Sequence, residues 1–169
     1  MFEITRYSAD RKAEWNDFIS RSKNGTFLFN RNYMDYHSDR FDDHSLMFYL
    51  KGRLYAVFPA NVKDGILYSH QGLTYGGLVM DERAKAAEVC TLFRELNGCM
   101  QASGIRKVVY KPVPWIYPSY ASEEDLYAIV NICGAKLAAR DISSTIILDR
   151  RLKFGELRRR CIRLSLIHI

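Results

Sequence analysis

The sequence predicts a mixed α/β domain of the α+β kind, with a mostly antiparallel central sheet and helices on both faces. Three observations predict it. Short stretches of period-two alternation are interleaved with longer ones whose apolar residues recur at three and four positions. A two-residue gap containing glycine joins two early strands, which suits an antiparallel hairpin. The later strands are separated by amphipathic segments, which suits crossovers. With 169 residues, 48% of them hydrophobic and 26% charged, the chain has enough apolar material for a core.

Taken in order, residues 2–7 alternate as a first strand, and Ser8 stands where a helix cap is wanted. Trp15, Phe18, Ile19 and Ser22 then share one helical face until Asn24-Gly25 stops it. Residues 26–29 read as a short strand or turn, and residues 33–37 as a short second helix. Residues 45–50 and 53–59, joined by Lys51-Gly52, form a hairpin, and residues 65–69 add a strand after the Lys63-Asp64-Gly65 turn. Asp81 is placed to cap a long helix with Ala86, Val89, Cys90, Phe93, Leu96 and Met100 inward, and Gly104 suits its left-handed end. Residues 105–111 form a strand ended by Pro112-Val113-Pro114. Ser122 to Asp125 has capping-box spacing before a helix with Leu126, Ile129, Val130 and Cys133 inward, closed by Gly134. Residues 142–148 make a last β-branched strand, so residues 1–149 are expected to form one domain.

The net charge of +6 is local. From Asp149 to Arg163, seven basic residues face two acidic ones, which leaves about +1 for everything before. Nucleic-acid association is therefore an alternative confined to Arg150–Arg163, not a property of the whole surface. Cys90, Cys99, Cys133 and Cys161 form no C-x-x-C pair, so neither a disulfide framework nor a zinc site is expected, and no metal. The first three fall on apolar helix faces, which argues against thiol catalysis. Asp42-Asp43-His44 reads as a turn. No long apolar run and no signal peptide stand in the sequence, so the expected address is cytoplasmic. Gly-x-Ser-x-Gly, P-loop and His-Glu-x-x-His motifs are absent, which removes the hydrolase, NTPase and zincin classes those motifs mark.

Four strings carry a family resemblance: residues 24–29 (Asn24-Gly25-Thr26-Phe27-Leu28-Phe29), 33–41, 69–77 (Ser69-His70-Gln71-Gly72-Leu73-Thr74-Tyr75-Gly76-Gly77) and 110–117 (Tyr110-Lys111-Pro112-Val113-Pro114-Trp115-Ile116-Tyr117). Together they resemble the N-terminal half of Fem-like GNAT proteins, over about Phe2 to Arg163. The resemblance implies a GNAT-like fold, two such halves in tandem, and direct attack of an amine on an activated acyl donor, acyl-CoA or aminoacyl-tRNA. It makes the second half and the amine acceptor the expected partners, with nucleic acid a partner only if the donor is aminoacyl-tRNA. A peptidoglycan-related acceptor fits the Fem enzymes proper.

A GNAT donor site holds pantetheine between splayed strands and pyrophosphate on backbone N–H groups at a helix N-terminus. Its phosphate loop reads Gln/Arg-x-x-Gly-x-Gly/Ala directly before the long helix. Here Thr74 takes the first glycine's place and the chain runs on from Gly77 before reaching Asp81. That departure places the donor site in the second half and leaves this half to supply acceptor and cleft surface, inactive alone. Residues 150–163 then begin a basic connecting helix. Leu164 to Ile169 resembles the in-frame translation of a sequencing adapter, so a reading frame truncated near Arg163 is expected. A non-catalytic GNAT-like binding module is the alternative.

The candidate site residues follow. His70, at a strand end beside a glycine turn, is the candidate general base. Gln71, Thr74, Tyr75 and Lys111 are candidate substrate-binding residues at strand ends. Trp115 and Tyr117, with Tyr120, form an aromatic loop suited to stacking on substrate or to docking the second half.

Overall fold

A computed structural model of the chain describes residues 1–145 and 153–167. They fall into two compact units, Met1–Lys136 and Leu137–Ile169.

The first unit holds two four-stranded sheets. One runs in the order β1 (Glu3–Arg6), β3 (Leu46–Leu50), β4 (Arg53–Phe58), β7 (Val79–Met80), all antiparallel. The other runs β2 (Asp42–Asp43), β5 (Asn61–Lys63), β6 (Ile66–Tyr68), β8 (Lys107–Val109), with β6 and β8 its parallel pair. The expected hairpin is there: Lys51 and Gly52 have φ of 52° and 75°, the primed-turn geometry that matches strand twist. Asp64 and Gly65, at 53° and 72°, make a second such turn between β5 and β6. β5 is a strand beyond those expected from the sequence. Pro59, which has no N–H for a ladder, separates it from β4 and lets one continuous stretch serve both sheets.

Alternation along the first sheet sorts its side chains onto two faces. Met47, Tyr49, Val57 and Val79 pack with Trp15, Phe18 and Ile19 of α1 (Lys12–Arg21). Leu46, Phe48, Ala56, Phe58 and Met80 pack with Val89, Phe93, Leu96 and Met100 of α3 (Ala86–Ala102). Helices thus cover both faces, as expected, and each fully buried aromatic contributes about 1.5–3 kcal/mol. Between α1 and β2, short 3-10 turns flank α2 (Arg31–Met34). Arg31 is buried between the rings of Tyr7 and Trp15, its guanidinium 3.5 Å and 4.2 Å from their centroids, and pairs with Asp43. Among the described residues its Nε and Nη2 have no hydrogen-bond acceptor, and the two ring faces offset part of that cost. Asp42 and Asp43, expected in a turn, form β2.

Three caps differ from expectation, one of them the Ser122 capping box, where Glu123 stands at the N-cap of the following helix without a side-chain cap bond. Ser8 precedes a 3-10 turn and makes no side-chain cap. Asp81 caps its own turn through Arg83 N (2.9 Å), while the Tyr55 hydroxyl accepts from Lys85 N (3.0 Å) and donates to Glu88 (2.9 Å) at the start of α3. The far end of α3 is as expected, with Gly104 at φ 74° and Ile105 N donating to Met100 O (3.0 Å). In α4 (Glu124–Asn131) the buried residues are Asp125 and Ala128, with Ile129 and Ile132 beside the core. Val130 and Cys133 are exposed instead of inward; the buried face is the one that carries Asp125, which accepts from the Tyr110 hydroxyl.

In the second unit, residues 137–145 have no regular structure, and α5 (Glu156–Ile167) carries the four arginines Arg158, Arg159, Arg160 and Arg163. Of the strand expected over 142–148, residues 142–145 are not in a strand and 146–148 lie outside the described residues.

Candidate active-site surface

β6 ends at Tyr68, and the chain loops through residues 69–78 before β7. The loop is strapped over the end of β8. Ser69 N donates to Val109 O (3.0 Å), Lys111 N to Ser69 Oγ (2.7 Å), and Gly76 N to Lys111 O (2.9 Å). Its glycines serve the chain's own packing. A Cβ on Gly76 would lie 2.1 Å from Ser69 O, and one on Gly77, at φ 88°, would lie 2.7 Å from the Tyr110 hydroxyl. These glycines also precede β7, so they are not the loop that leads into α3.

The candidate residues distribute unevenly around this loop. His70 is buried, in the left-handed region at φ 60°, with its ring 5.4 Å from that of Phe41. Gln71 is exposed and locked to Asn61 by a reciprocal pair, Gln71 N to Oδ1 (2.7 Å) and Asn61 Nδ2 to Gln71 Oε1 (2.9 Å). Lys111 is exposed, with Nζ donating to Leu73 O (3.0 Å), and Thr74 lies exposed on the same loop. Tyr75 is buried. Its ring stacks on Tyr117 at 5.1 Å, and burial raises the pKa of its hydroxyl, which donates to Thr26 Oγ1 (3.2 Å). Trp115 is 79% exposed. The structure therefore joins Lys111 to the 69–78 loop and Tyr117 to Tyr75, and sets His70 beneath that surface.

Residues that the sequence reading passed over decide what the site can hold. Where β7 and β8 part, the outer edge of β7 faces a gap, and the chain fills it. Lys23 N donates to Met80 O (3.1 Å), Met80 N to Asn24 Oδ1 (2.8 Å), Asn24 Nδ2 to Leu78 O (2.8 Å), and Leu78 N to the Tyr110 hydroxyl (2.7 Å). Each of these outward backbone groups is paired, and Lys23 and Asn24 are buried. Lys23 Nζ pairs with Glu124 and reaches Ala84 O (3.2 Å), while Ser119 N donates to Lys23 O (2.7 Å). Burial opposes ionisation of Glu124, yet the Lys23 bond holds its pKa below the usual value. The Tyr110 hydroxyl donates to Asp125 (2.5 Å). Burial and that neighbouring carboxylate raise the Tyr110 pKa well above normal, and burial raises the Asp125 pKa too. Asn24-Gly25 signalled only a helix stop. Asp125, at the end of the acidic run Glu123-Glu124-Asp125, signalled only a helix start.

Where the resemblance to GNAT proteins leads one to expect a pantetheine arm along a splayed strand edge, the outer edge of β7 is already paired. The approach to α3, Asp81-Glu82-Arg83-Ala84-Lys85, has no glycine, and Glu88 puts a carboxylate in the first turn, where a diphosphate would need the helix dipole unopposed.

No family model matches the sequence, and no curated protein matches it. Solved structures do. The aminoglycoside N-acetyltransferase AAC(6')-Iy, in complex with CoA, aligns with 86% of this chain and 95% of its own at TM-score 0.51 and 9% identity. The aminoglycoside 6'-N-acetyltransferase AAC(6')-Ih from Acinetobacter baumannii covers 88% and 99% at TM-score 0.50 and 9% identity. A GNAT-family acetyltransferase from Streptococcus pneumoniae covers 62% and 70% at TM-score 0.39 and 15% identity.

Proposed function

We propose that this GNAT-like fold works as the N-terminal half of a cytoplasmic Fem-like acyl- or aminoacyltransferase. It supplies acceptor-binding and cleft surface, while a second GNAT-like half of the same protein holds the donor. The observation that carries this proposal is the paired outer edge of β7, where Asn24, Lys23 and Tyr110 stand in place of a ligand. In the reaction, the acceptor's amine nitrogen bonds to the acyl carbon, the donor's sulfur or ester oxygen leaves, and the amine's proton is lost to a base. Lys111, Thr74, Trp115 and Tyr117 are the exposed residues assigned to the acceptor side. The AAC(6')-Iy complex with CoA supports acyl-CoA as a donor that this fold accommodates. In this proposal residues 150–163 begin the link to the second half, and residues 164–169 are adapter-derived.

Two experiments test it. Long-read sequencing across the Arg163 codon is expected to find a frame continuing into a second strand-helix domain. The full-length product is expected to acylate an amine, and this chain alone to bind no CoA and turn nothing over. Turnover by this chain alone overturns the division of labour, and a full-length protein inert toward both donor classes overturns the transferase. A frame that stops at Ile169 favours the second reading, a non-catalytic GNAT-like binding module, which the same paired edge supports.

A further inference from the structure

A second concavity follows Gly25 in the chain. It is an open groove of about 580 Å³ between α1 and α2, within the size range of small-molecule sites. None of the nine residues lining it carries a charge. On its rim Phe27 is 69% exposed and Tyr33 is 42% exposed, their rings meeting edge to face at 5.4 Å. Along it stand three carboxamides. The Asn16 oxygen is held by Arg31 N (2.8 Å) and the Asn30 oxygen by Asn32 N (2.9 Å), which leaves their NH₂ groups as donors. The Asn32 carboxamide bonds to none of the described residues. At Gly25, one of the lining residues, the chain packs closely on the end of α1: a Cβ there would lie 2.2 Å from Ser22 Oγ and 2.7 Å from Ile19 O.

Carboxamides offer paired donors and acceptors, and aromatic faces offer apolar stacking, with no counter-charge for an ion that would have to shed water. That combination suits a ligand with hydroxyls around its edge and C–H groups on its face. We propose that this groove binds a neutral saccharide, with Phe27 and Tyr33 against the ring and the Asn16, Asn30 and Asn32 amides on its hydroxyls. The inference rests on the groove and not on the transferase proposal.

The test titrates the isotope-labelled chain with cellobiose, N,N′-diacetylchitobiose, glucose 6-phosphate and a neutral tripeptide, followed by backbone amide shifts. A neutral disaccharide is expected to shift amides of residues 25–33 saturably, and more tightly than the phosphorylated sugar or the tripeptide. Phe27→Ala and Asn32→Ala are each expected to weaken it about tenfold, with unchanged thermal midpoints and dispersed spectra. No saturable shift by either disaccharide at about 50 mM, a weak-binding limit on the scale of, overturns the proposal. So does equal binding by both variants, or tighter binding of the tripeptide or the charged sugar.

Discussion

Residues 23–24 and 26–27 sit on one short segment, separated by Gly25, and do opposite things. Lys23 and Asn24 are buried and pair the outer edge of β7 through the Lys23 backbone N–H and the Asn24 carboxamide, so that part of the segment finishes the sheet as an extra strand would. Phe27 is left in solvent beside carboxamides with bonding capacity to spare. A gap filled by the chain's own atoms is structure, while a gap whose lining keeps unused donors and an exposed ring is a place for something else. The loop over β8 follows the same logic, with Gly76 and Gly77 consumed by internal packing while Gln71, Thr74, Lys111 and the aromatic loop face out.

The contrast can be broken most severely at Asn24. Asn24→Ala leaves Met80 N and Leu78 O buried without partners and should cost about 2–4 kcal/mol, read by urea unfolding. Asn24→Asp keeps the acceptor for Met80 N but turns a carboxylate oxygen onto Leu78 O in a buried site, so its loss should be no smaller. Tyr110→Phe strips the partner from Leu78 N and from Asp125 and should cost about 2 kcal/mol. Glu124→Gln tests the tie to α4 through pH. Because Lys23 depresses the Glu124 pKa, its contribution is present above the ordinary value of 4.5 and lost as pH falls through the lower folded value. Wild type should therefore lose its advantage over Glu124→Gln on acidification below 4.5, and a constant difference would remove that assignment. Phe27→Ala should move stability by no more than about 0.5 kcal/mol, because the ring is largely in water.

Much of this molecule was legible in its sequence because the signals were local. Lys51-Gly52 names its own turn, and Val89, Phe93, Leu96 and Met100 repeat with the helix that buries them. The paired edge was not legible, since Asn24 meets Leu78 and Met80 across more than fifty residues and nothing in Asn-Gly distinguishes a helix stop from a strand substitute. Caps were misassigned for a related reason: Tyr55, from another strand, does for α3 what Asp81 seemed placed to do. Of the candidate site, Tyr75 and Tyr117 meet, and Lys111 reaches the same loop at Leu73. His70 does not join them, because a left-handed backbone turns it under Phe41, and backbone sign is invisible in a residue name.

The two tryptophans give the chain a pair of built-in optical reporters. Trp15 is sealed in the core with its Nε1 donating to Phe29 O (2.7 Å) and Arg31 over its ring, whereas Trp115 stands in solvent on the aromatic loop. Their emission should separate into a blue component that collisional quenchers cannot reach and a red one that they extinguish. Unfolding would be followed in the first and occupancy of the loop surface in the second, in one unlabelled sample.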